Sequence, residues 1–459
     1  MRKYLLATVA SLGMMAAASG VAHAQAAKAP APGTIVVHLN GLLNDQFNDI
    51  GSSINSVNGY KLNPIGMSGF LRLYPGFDGT TAGGLQYGVA TELRTAYTNA
   101  GQGIREGGGG VESMVIRRAY AYFGTKQDGF IRLGQTDGTW DLLTTGEYYN
   151  YGDGNEWNSD GGVGAAVPGN AAPKGLFSVS GALYTTNKIV YISPDIAGFQ
   201  VGFDFEPNSN GFKEGESCGL PGVNCATLAS APGGEGNARR KNTLGAAAEY
   251  TGKAGALGYK LSAAYLMASP IGTSGPLSTT SYSITGLNGV PGATGKNQPL
   301  SGNGSTSFSD PQYKGLRIDQ FSAQVTYGGF LLGANFKSGQ VNNGYTFILP
   351  GQRQAMFYEV TGIYTMGPAT IGAQYFDDQA AGAYLPGNGA GRTENDYGFD
   401  IGANYALSPH FGVYATYLYG HRHQYGVNLA DANPTPVTGT VVGNNVQSQA
   451  ISAGAQLKW

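Results

Sequence analysis

The chain ends with the segment Val446-Gln-Ser-Gln-Ala-Ile-Ser-Ala-Gly-Ala-Gln-Leu-Lys-Trp459, in which apolar and polar residues alternate. The apolar set comprises Ile451, Ala453, Ala455, Leu457 and Trp459, and the other set comprises Ser452, Gly454, Gln456 and Lys458. Because successive side chains of a β-strand point to opposite faces, this pattern predicts a strand with one apolar and one polar face. Such a strand suits a barrel wall between lipid and water, but a soluble sandwich has the same pattern, so the rest of the chain must decide.

The first 24 residues have the three parts of a secretory signal peptide. Arg2 and Lys3 are the charged region, an apolar stretch runs from Leu5 to Ala18, and Ala22-His23-Ala24 is typical of a cleavage site. We therefore expect residues 1–24 to be removed and residues 25–33 to form a short periplasmic linker. No later apolar run approaches the ~20 residues of a membrane helix, so any insertion into a membrane would use strands.

The composition favours a large β-barrel with irregular loops. The chain has 75 glycines and 29 tyrosines, and only 12% of its residues are charged. Cleavage after Ala24 would leave 25 basic and 29 acidic residues, so the sequence lacks the basic excess expected of a nucleic-acid-binding protein. No pattern calls for a cofactor.

The two cysteines, Cys218 and Cys225, lie close together in a segment rich in glycine and proline. In an oxidising secreted environment this spacing favours a local disulfide. A metal site would need further ligands, and no histidine is nearby, so we expect no metal.

Long and short connections alternate along the chain, as the opposite ends of an outer-membrane barrel require. The long loops are predicted at residues 42–65, 98–111, 137–186, 206–242, 268–316, 338–353, 377–395 and 420–445. The segments between connections number about 16, an even count typical of bacterial barrels. The predicted fold is all-β: a transmembrane antiparallel up-and-down barrel over residues 34–459, with an infolded constriction loop. The terminal strand is expected to close the wall against Ile35–Gly41.

The predicted strands carry aromatic residues on one face and small or polar residues on the other. In Tyr397–Tyr405, for example, Tyr397, Phe399, Ile401, Ala403 and Tyr405 share a face. Aromatic residues near strand ends are typical of the girdles at the membrane interfaces. The opposite faces, rich in glycine, asparagine and glutamine, indicate a wet interior.

A barrel of about 16 strands encloses a water channel, and selectivity requires a narrower section. Loop 137–186 could supply it, because the loop carries several acids and Trp140 could anchor it to the wall. The candidate constriction residues are Arg72, Glu92, Arg94, Arg118, Tyr120, Arg132, Asp137, Asp141 and Glu147. Acids on an infolded loop that faces wall arginines would create a transverse field across the aperture. The alternative is that the acids decorate an exposed loop and the arginines lie at the rim, which is where we expect Arg117.

Three segments resemble the general (non-specific) Gram-negative porins: Ile116–Gln135, Asn187–Phe199 and the terminal strand. The resemblance implies a homotrimer of sixteen-stranded barrels in the outer membrane, in contact with lipid and lipopolysaccharide. It also implies wall arginines at Arg72 and Arg118, an inward Glu92, and the start of the infolded loop at Trp140-Asp-Leu. The terminal aromatic, Trp459, resembles the signal that the barrel-assembly machinery reads, although the family usually ends in phenylalanine. The acidic loop-tip motif of enterobacterial members is not recognisable.

The sequence therefore predicts a porin for passive diffusion of small hydrophilic solutes and ions. A channel specific for a sugar, phosphate or organic acid is the alternative, since the many tyrosines could line a sugar path. We expect no enzymatic activity, because the few histidines have no nucleophile or carboxylate partner in a recognisable arrangement.

Overall fold

A computed structural model describes residues 32–57, 61–95, 114–146, 151–154, 157, 162–167, 171–173, 185–208, 240–270, 314–341, 348, 351–381, 393–425, 428–429 and 444–459. These residues form a closed barrel of sixteen antiparallel strands, each paired with its neighbours in the chain, and the last paired with the first. The predicted antiparallel barrel and its strand number are confirmed. The signal-peptide region and both cysteines lie outside the described residues.

The strands are β1 (Ile35–Ser52), β2 (Ile65–Thr80), β3 (Gln86–Thr95), β4 (Met114–Thr125), β5 (Gly129–Thr136), β6 (Thr186–Ile192), β7 (Phe199–Asn208), β8 (Arg240–Ala254), β9 (Leu257–Pro270), β10 (Leu316–Tyr327), β11 (Phe330–Gln340), β12 (Ala355–Met366), β13 (Ala369–Ala381), β14 (Thr393–Ala406), β15 (Phe411–Gln424) and β16 (Asn445–Lys458). Helix α1 (Thr139–Leu142) and a 3-10 turn (Val163–Ala166) lie between β5 and β6. None of the helical segments in the described ranges has the length and apolarity needed to cross a membrane.

The seam that closes the barrel differs from the sequence prediction. Strand β16 pairs with the second half of β1, from Leu42 opposite Lys458 to Ser52 opposite Ser448. Of the predicted partner Ile35–Gly41, only the last residue, Gly41, joins this seam, through backbone hydrogen bonds with Trp459. The loop predicted from residue 42 therefore begins only after Ser52. This segment is rich in Asn, Asp and Gln, which resembles a loop, but its buried side chains alternate with exposed ones as in a strand.

Alternation along the strands separates an inner from an outer face. Ile451 is 50% exposed, whereas Ser452, the next residue, is 1% exposed. The exposed face carries most of the large aliphatic and aromatic side chains, as a lipid-facing wall requires. At the short-turn end, Trp459 and Gly41 exchange backbone hydrogen bonds, and the indole covers Gly41 so closely that a Cβ there would collide with it.

The inner face is not polar throughout. Near the long-loop ends of β9 to β16 it carries apolar side chains, among them Phe357 and Leu418, which are fully buried. They cluster with Trp140, Trp157 and Val163 from the β5–β6 connection. The expectation of a uniformly wet interior therefore fails in this region, because the connection packs against the wall and excludes water.

Candidate functional site

An ion-pair cluster joins two adjacent strands to the start of the β5–β6 connection. On β3, Glu92 pairs with both Arg94 of the same strand and Arg118 of β4. The Arg118 Nε–H also donates to Asp137 Oδ2 over 2.8 Å. The side chains of Glu92 and Asp137 are 0% exposed, whereas that of Arg118 retains 10% exposure. The surface that this cluster offers to a solute is therefore guanidinium and not carboxylate.

Two further arginines flank the cluster and lie against aromatic rings. The guanidinium carbon of Arg72 on β2 is 4.4 Å from the ring centroid of Phe70, and that of Arg132 on β5 is 5.2 Å from the centroid of Tyr120. A cation over an aromatic face is held by the ring quadrupole and keeps its charge. These contacts fix both arginines on the inner wall.

Arg117 does not lie at the rim as we expected. Arg118 is opposite Glu92 and Ile116 is opposite Leu93, so Arg117 is the extra residue of a β-bulge. Two of its guanidinium nitrogens, Nε and Nη2, are buried, and its charge lowers the pKa of Asp141 in α1. Strict alternation fails at a bulge, and the sequence carries no signal for its position.

The β5–β6 connection turns into the barrel immediately after Asp137. Asp204 of β7 accepts hydrogen bonds from the Thr139 backbone N–H at 2.6 Å and from the Thr139 hydroxyl at 2.5 Å. This carboxylate lies at the N-terminus of α1, where the helix has free N–H groups. Sequence reasoning missed Asp204, because its partner is 65 residues away in the chain.

The described residues within 137–173, here called the infolded segment, contact the inner wall at strands far from β5. Thr145 donates to Gln324 on β10 at 2.9 Å, and its carbonyl oxygen accepts from Asn335 on β11 at 3.3 Å. Further along, the Tyr151 hydroxyl donates to Asp400 on β14.

The far end of the infolded segment reaches the strands beside the seam. The Asp153 N–H donates to Thr416 on β15 at 2.7 Å, and the Asp153 carbonyl oxygen accepts from Gln456 on β16 at 3.4 Å. The Ala171 carbonyl oxygen accepts from Ser448, also on β16, at 2.9 Å. These contacts place the infolded segment on strands β10 to β16, across the barrel from the arginines of β2 to β5.

Glycines make room for the infolded segment on the wall. A Cβ at Gly402 of β14 would lie 2.7 Å from Gly152 Cα, and one at Gly333 of β11 would lie 2.7 Å from the Gly146 carbonyl oxygen. A Cβ at Gly372 of β13 would collide with the Tyr151 ring. The sequence shows these inward glycines, but it cannot show that they receive a chain segment.

Of the three remaining candidate constriction residues, the structure describes the positions of Asp141 and Tyr120. Asp141 is partly exposed in α1, and Tyr120 is buried on the inner face of β4. Glu147 lies outside the described residues. Within the described part of the chain, no group of three or more His, Cys, Asp or Glu side chains is arranged to hold a metal ion.

A family model described as Gram-negative porin matches residues 8–424. The chain belongs to the Gram-negative porin family. Its location is therefore the outer membrane of a Gram-negative bacterium, and family and fold point to a channel and not to an enzyme. No curated protein matches the chain.

Solved porin structures share the fold of this porin at low sequence identity. The anion-selective porin from Comamonas acidovorans is 13% identical, with a TM-score of 0.51 over 93% of this chain and 100% of that one. The Salmonella typhi OmpF complex with daunomycin is 14% identical, with a TM-score of 0.51 over 92% of this chain and 97% of that one. At such identities the likeness shows the barrel alone.

The acid on α1 gives the porin a pH-dependent charge. Burial and the neighbouring Asp137 carboxylate together raise the pKa of Asp141 to about 6, against the opposing positive charge of Arg118. Asp141 is therefore mainly ionised above pH 6 and mainly neutral below it. We expect the ratio of anion to cation permeability to rise between pH 7.5 and pH 5, because one negative charge is lost.

Reversal potentials in a salt gradient at the two pH values measure this change. In Asp141→Asn the ratio should match the low-pH value at both pH values. A wild-type ratio that does not change with pH, or a variant that keeps the full pH dependence, would contradict the assignment to Asp141.

Proposed function

We propose that this porin is a water-filled channel for passive diffusion of small hydrophilic solutes and ions. Its aperture is bounded by the arginines of β2 to β5 on one side and by the infolded segment on the other. The observation that carries the proposal is the cluster of Glu92, Arg118 and Asp137, which ties the start of the infolded segment to the wall. A charged constriction selects solutes by size and charge.

The pairing of wall arginines with segment acids supports an aperture of fixed shape. An Arg118 side chain that bonds Glu92 and Asp137 at once has little rotational freedom, and both carboxylates are shielded from water. Charges held in this way produce an electric field of constant direction across the aperture, whereas the field of mobile side chains would fluctuate.

Delivery and assembly complete the proposal. Residues 1–24 direct export, residues 25–33 are a linker, and the barrel domain spans residues 34–459. The barrel-assembly machinery reads the terminal strand with Trp459, and the mature porin is a homotrimer in contact with lipid and lipopolysaccharide. Cys218 and Cys225 form a disulfide in the β7–β8 loop.

Planar-bilayer recording tests the proposed channel. Purified porin should produce stepwise conductance that rises linearly with salt concentration, because ions in a wide aqueous pore do not compete for a binding site. Detergent buffer without protein is the control. The absence of conductance would contradict the proposal, and saturation by one sugar, phosphate or organic acid would favour a solute-specific channel.

A further inference from the structure

A histidine and an aspartate on neighbouring strands face the barrel interior near the short-turn end. His38 of β1 and Asp78 of β2 belong to the inward sets of their strands, and His38 is opposite Gly76, two residues before Asp78. The His38 Nδ1 atom lies 3.7 Å from Asp78 Oδ2, and the two side chains are 22% and 43% exposed. Both side chains are therefore accessible from the interior of the barrel.

The distance between these two atoms suits a shared metal ion better than a direct hydrogen bond. An N–H···O bond spans about 2.7–3.2 Å, so at 3.7 Å the pair is at most the ion pair of a protonated histidine. Two ligands of a tetrahedral metal ion, each about 2.1 Å from it, lie about 3.4 Å apart. A movement of about 0.3 Å would therefore bring both atoms within bonding distance of one ion.

A third side chain holds the aspartate in place. The Tyr122 hydroxyl of β4 donates to Asp78 Oδ1, while Oδ2 is the oxygen nearer to His38. The carboxylate ligands of metal sites are themselves commonly hydrogen-bonded, which fixes their orientation before the ion binds. Tyr122 therefore has the position of a residue that orients a ligand without touching the ion.

Two glycines provide the space that these side chains occupy. A Cβ at Gly76 would lie 2.7 Å from His38 Nε2, and one at Gly88 of β3 would lie 2.5 Å from the Tyr122 hydroxyl oxygen. Gly88 is opposite both Asp78 and Tyr122, so the tyrosine reaches the aspartate across β3 by passing over this glycine. A larger residue at either position would displace the histidine or the tyrosine.

The charges around the pair permit a cation. Arg132 of β5 is at the level of Asp78, but β3 and β4 lie between them, a separation of about 14 Å at the usual strand spacing. Salt screens charges that are more than about 8–10 Å apart in water. The Asp78 carboxylate therefore has more influence than Arg132 on an ion beside His38.

We propose that His38 and Asp78 bind a divalent transition-metal ion near the short-turn end of the barrel. An imidazole with a carboxylate suits Zn²⁺, Ni²⁺ and Cu²⁺, whereas Mg²⁺ and Ca²⁺ favour oxygen ligands alone. No group of three or more such ligands occurs in the part of the chain that the structure describes, so this site has two protein ligands and its ion exchanges with solution. If the proposed channel function holds, the bound ion also narrows the water path beside it.

Calorimetric titration of the detergent-purified porin, without an affinity tag, with zinc chloride at pH 7.5 tests the site directly. Wild type should bind zinc at one saturable site. A second donor held beside the first raises affinity by about 100-fold or more, so His38→Gln and Asp78→Asn should each weaken binding by that factor. Tyr122→Phe, which removes only the orienting hydroxyl, should weaken it by about tenfold.

Single-channel recording supplies a second measurement. Zinc chloride on both sides of the bilayer should lower the conductance of wild type, and a chelator should restore it. Each variant is compared as its ratio of conductance with and without zinc, so that a change in its metal-free conductance does not enter. The ratio should return to about one in His38→Gln, and magnesium chloride should leave wild type unchanged because Mg²⁺ favours oxygen ligands.

His410→Gln is the matched control, since His410 is an exposed histidine in the turn between β14 and β15 at the same end of the barrel. This variant should bind zinc as wild type does. A wild type that binds no zinc, or a His38→Gln variant that binds it as tightly as wild type, would overturn the inference. Equal effects of magnesium and zinc would also overturn it. Absence of conductance in metal-free wild type would instead overturn the proposed function, while the calorimetric titration would still decide the metal site.

Discussion

Replacing Gly402 with leucine is expected to raise the single-channel conductance of this porin about twofold. The added side chain would occupy the space of Gly152 and Tyr151, since even a Cβ would lie 2.7 Å from Gly152 Cα. Gly152 has a backbone φ of +61°, so it is the residue type suited to this position and has no side chain to move aside. The infolded segment must leave the wall at this point. An unlined sixteen-stranded barrel has a wider water-filled cross-section, and conductance follows that cross-section.

Gly362→Leu, which adds a side chain to the outer face, controls for the effect of an added leucine on folding. Gly362 lies on β12, and no atom lies within 4 Å of a Cβ built there. This variant should fold and conduct like wild type in planar bilayers. Gly402→Leu with unchanged conductance would show that the infolded segment does not limit the pore.

Arg118→Gln should lower the free energy of unfolding by about 3–5 kcal/mol, the usual cost of removing one partner from a buried ion pair. Arg118 serves two carboxylates, Glu92 and Asp137, and both are shielded from water. Glu92 would retain Arg94, but Asp137 would lose the Nε–H of Arg118, which its two carboxylate oxygens share. Guanidinium unfolding in detergent measures the change, and the reversal potential of the same variant should also shift.

Lys260→Gln provides the comparison for Arg118. Lys260 pairs with Glu249 at 2.8 Å, but 39% of the lysine side chain is exposed. Loss of an exposed pair should cost less than about 1 kcal/mol. Equal stability losses in the two variants, or unchanged selectivity in Arg118→Gln, would contradict the role assigned to the buried cluster.

Alternation predicted most strands, because each wall segment separates two environments and a period of two reports this directly. It also suggested inner-face positions for Arg118 and Tyr120, where the structure places them. The same rule misled at Arg117, because a bulge adds one residue and shifts the pattern. It was too weak for residues 42–52, where Asn44 and Gln46 face inward while Asp45 and Asp49 are exposed, so both faces contain polar residues.

The partners of the infolded segment could not be predicted for a different reason. Thr145 and Gln324 are 179 residues apart, and Tyr151 and Asp400 are 249 apart. No local pattern encodes such contacts. The apolar inner face was missed for the same reason: Leu418 is apolar and inward because a distant segment covers it.

The inward glycines have a consequence for engineering this porin as a sensor. Because Gly333 and Gly402 contact the backbone of the infolded segment, these two contacts do not depend on the side-chain identities of the segment. Aperture-facing side chains such as Asp141 could therefore be exchanged for other chemistries while the scaffold remains unaltered. A single folded barrel would then serve as a set of interchangeable detectors that differ only in the lining of the pore.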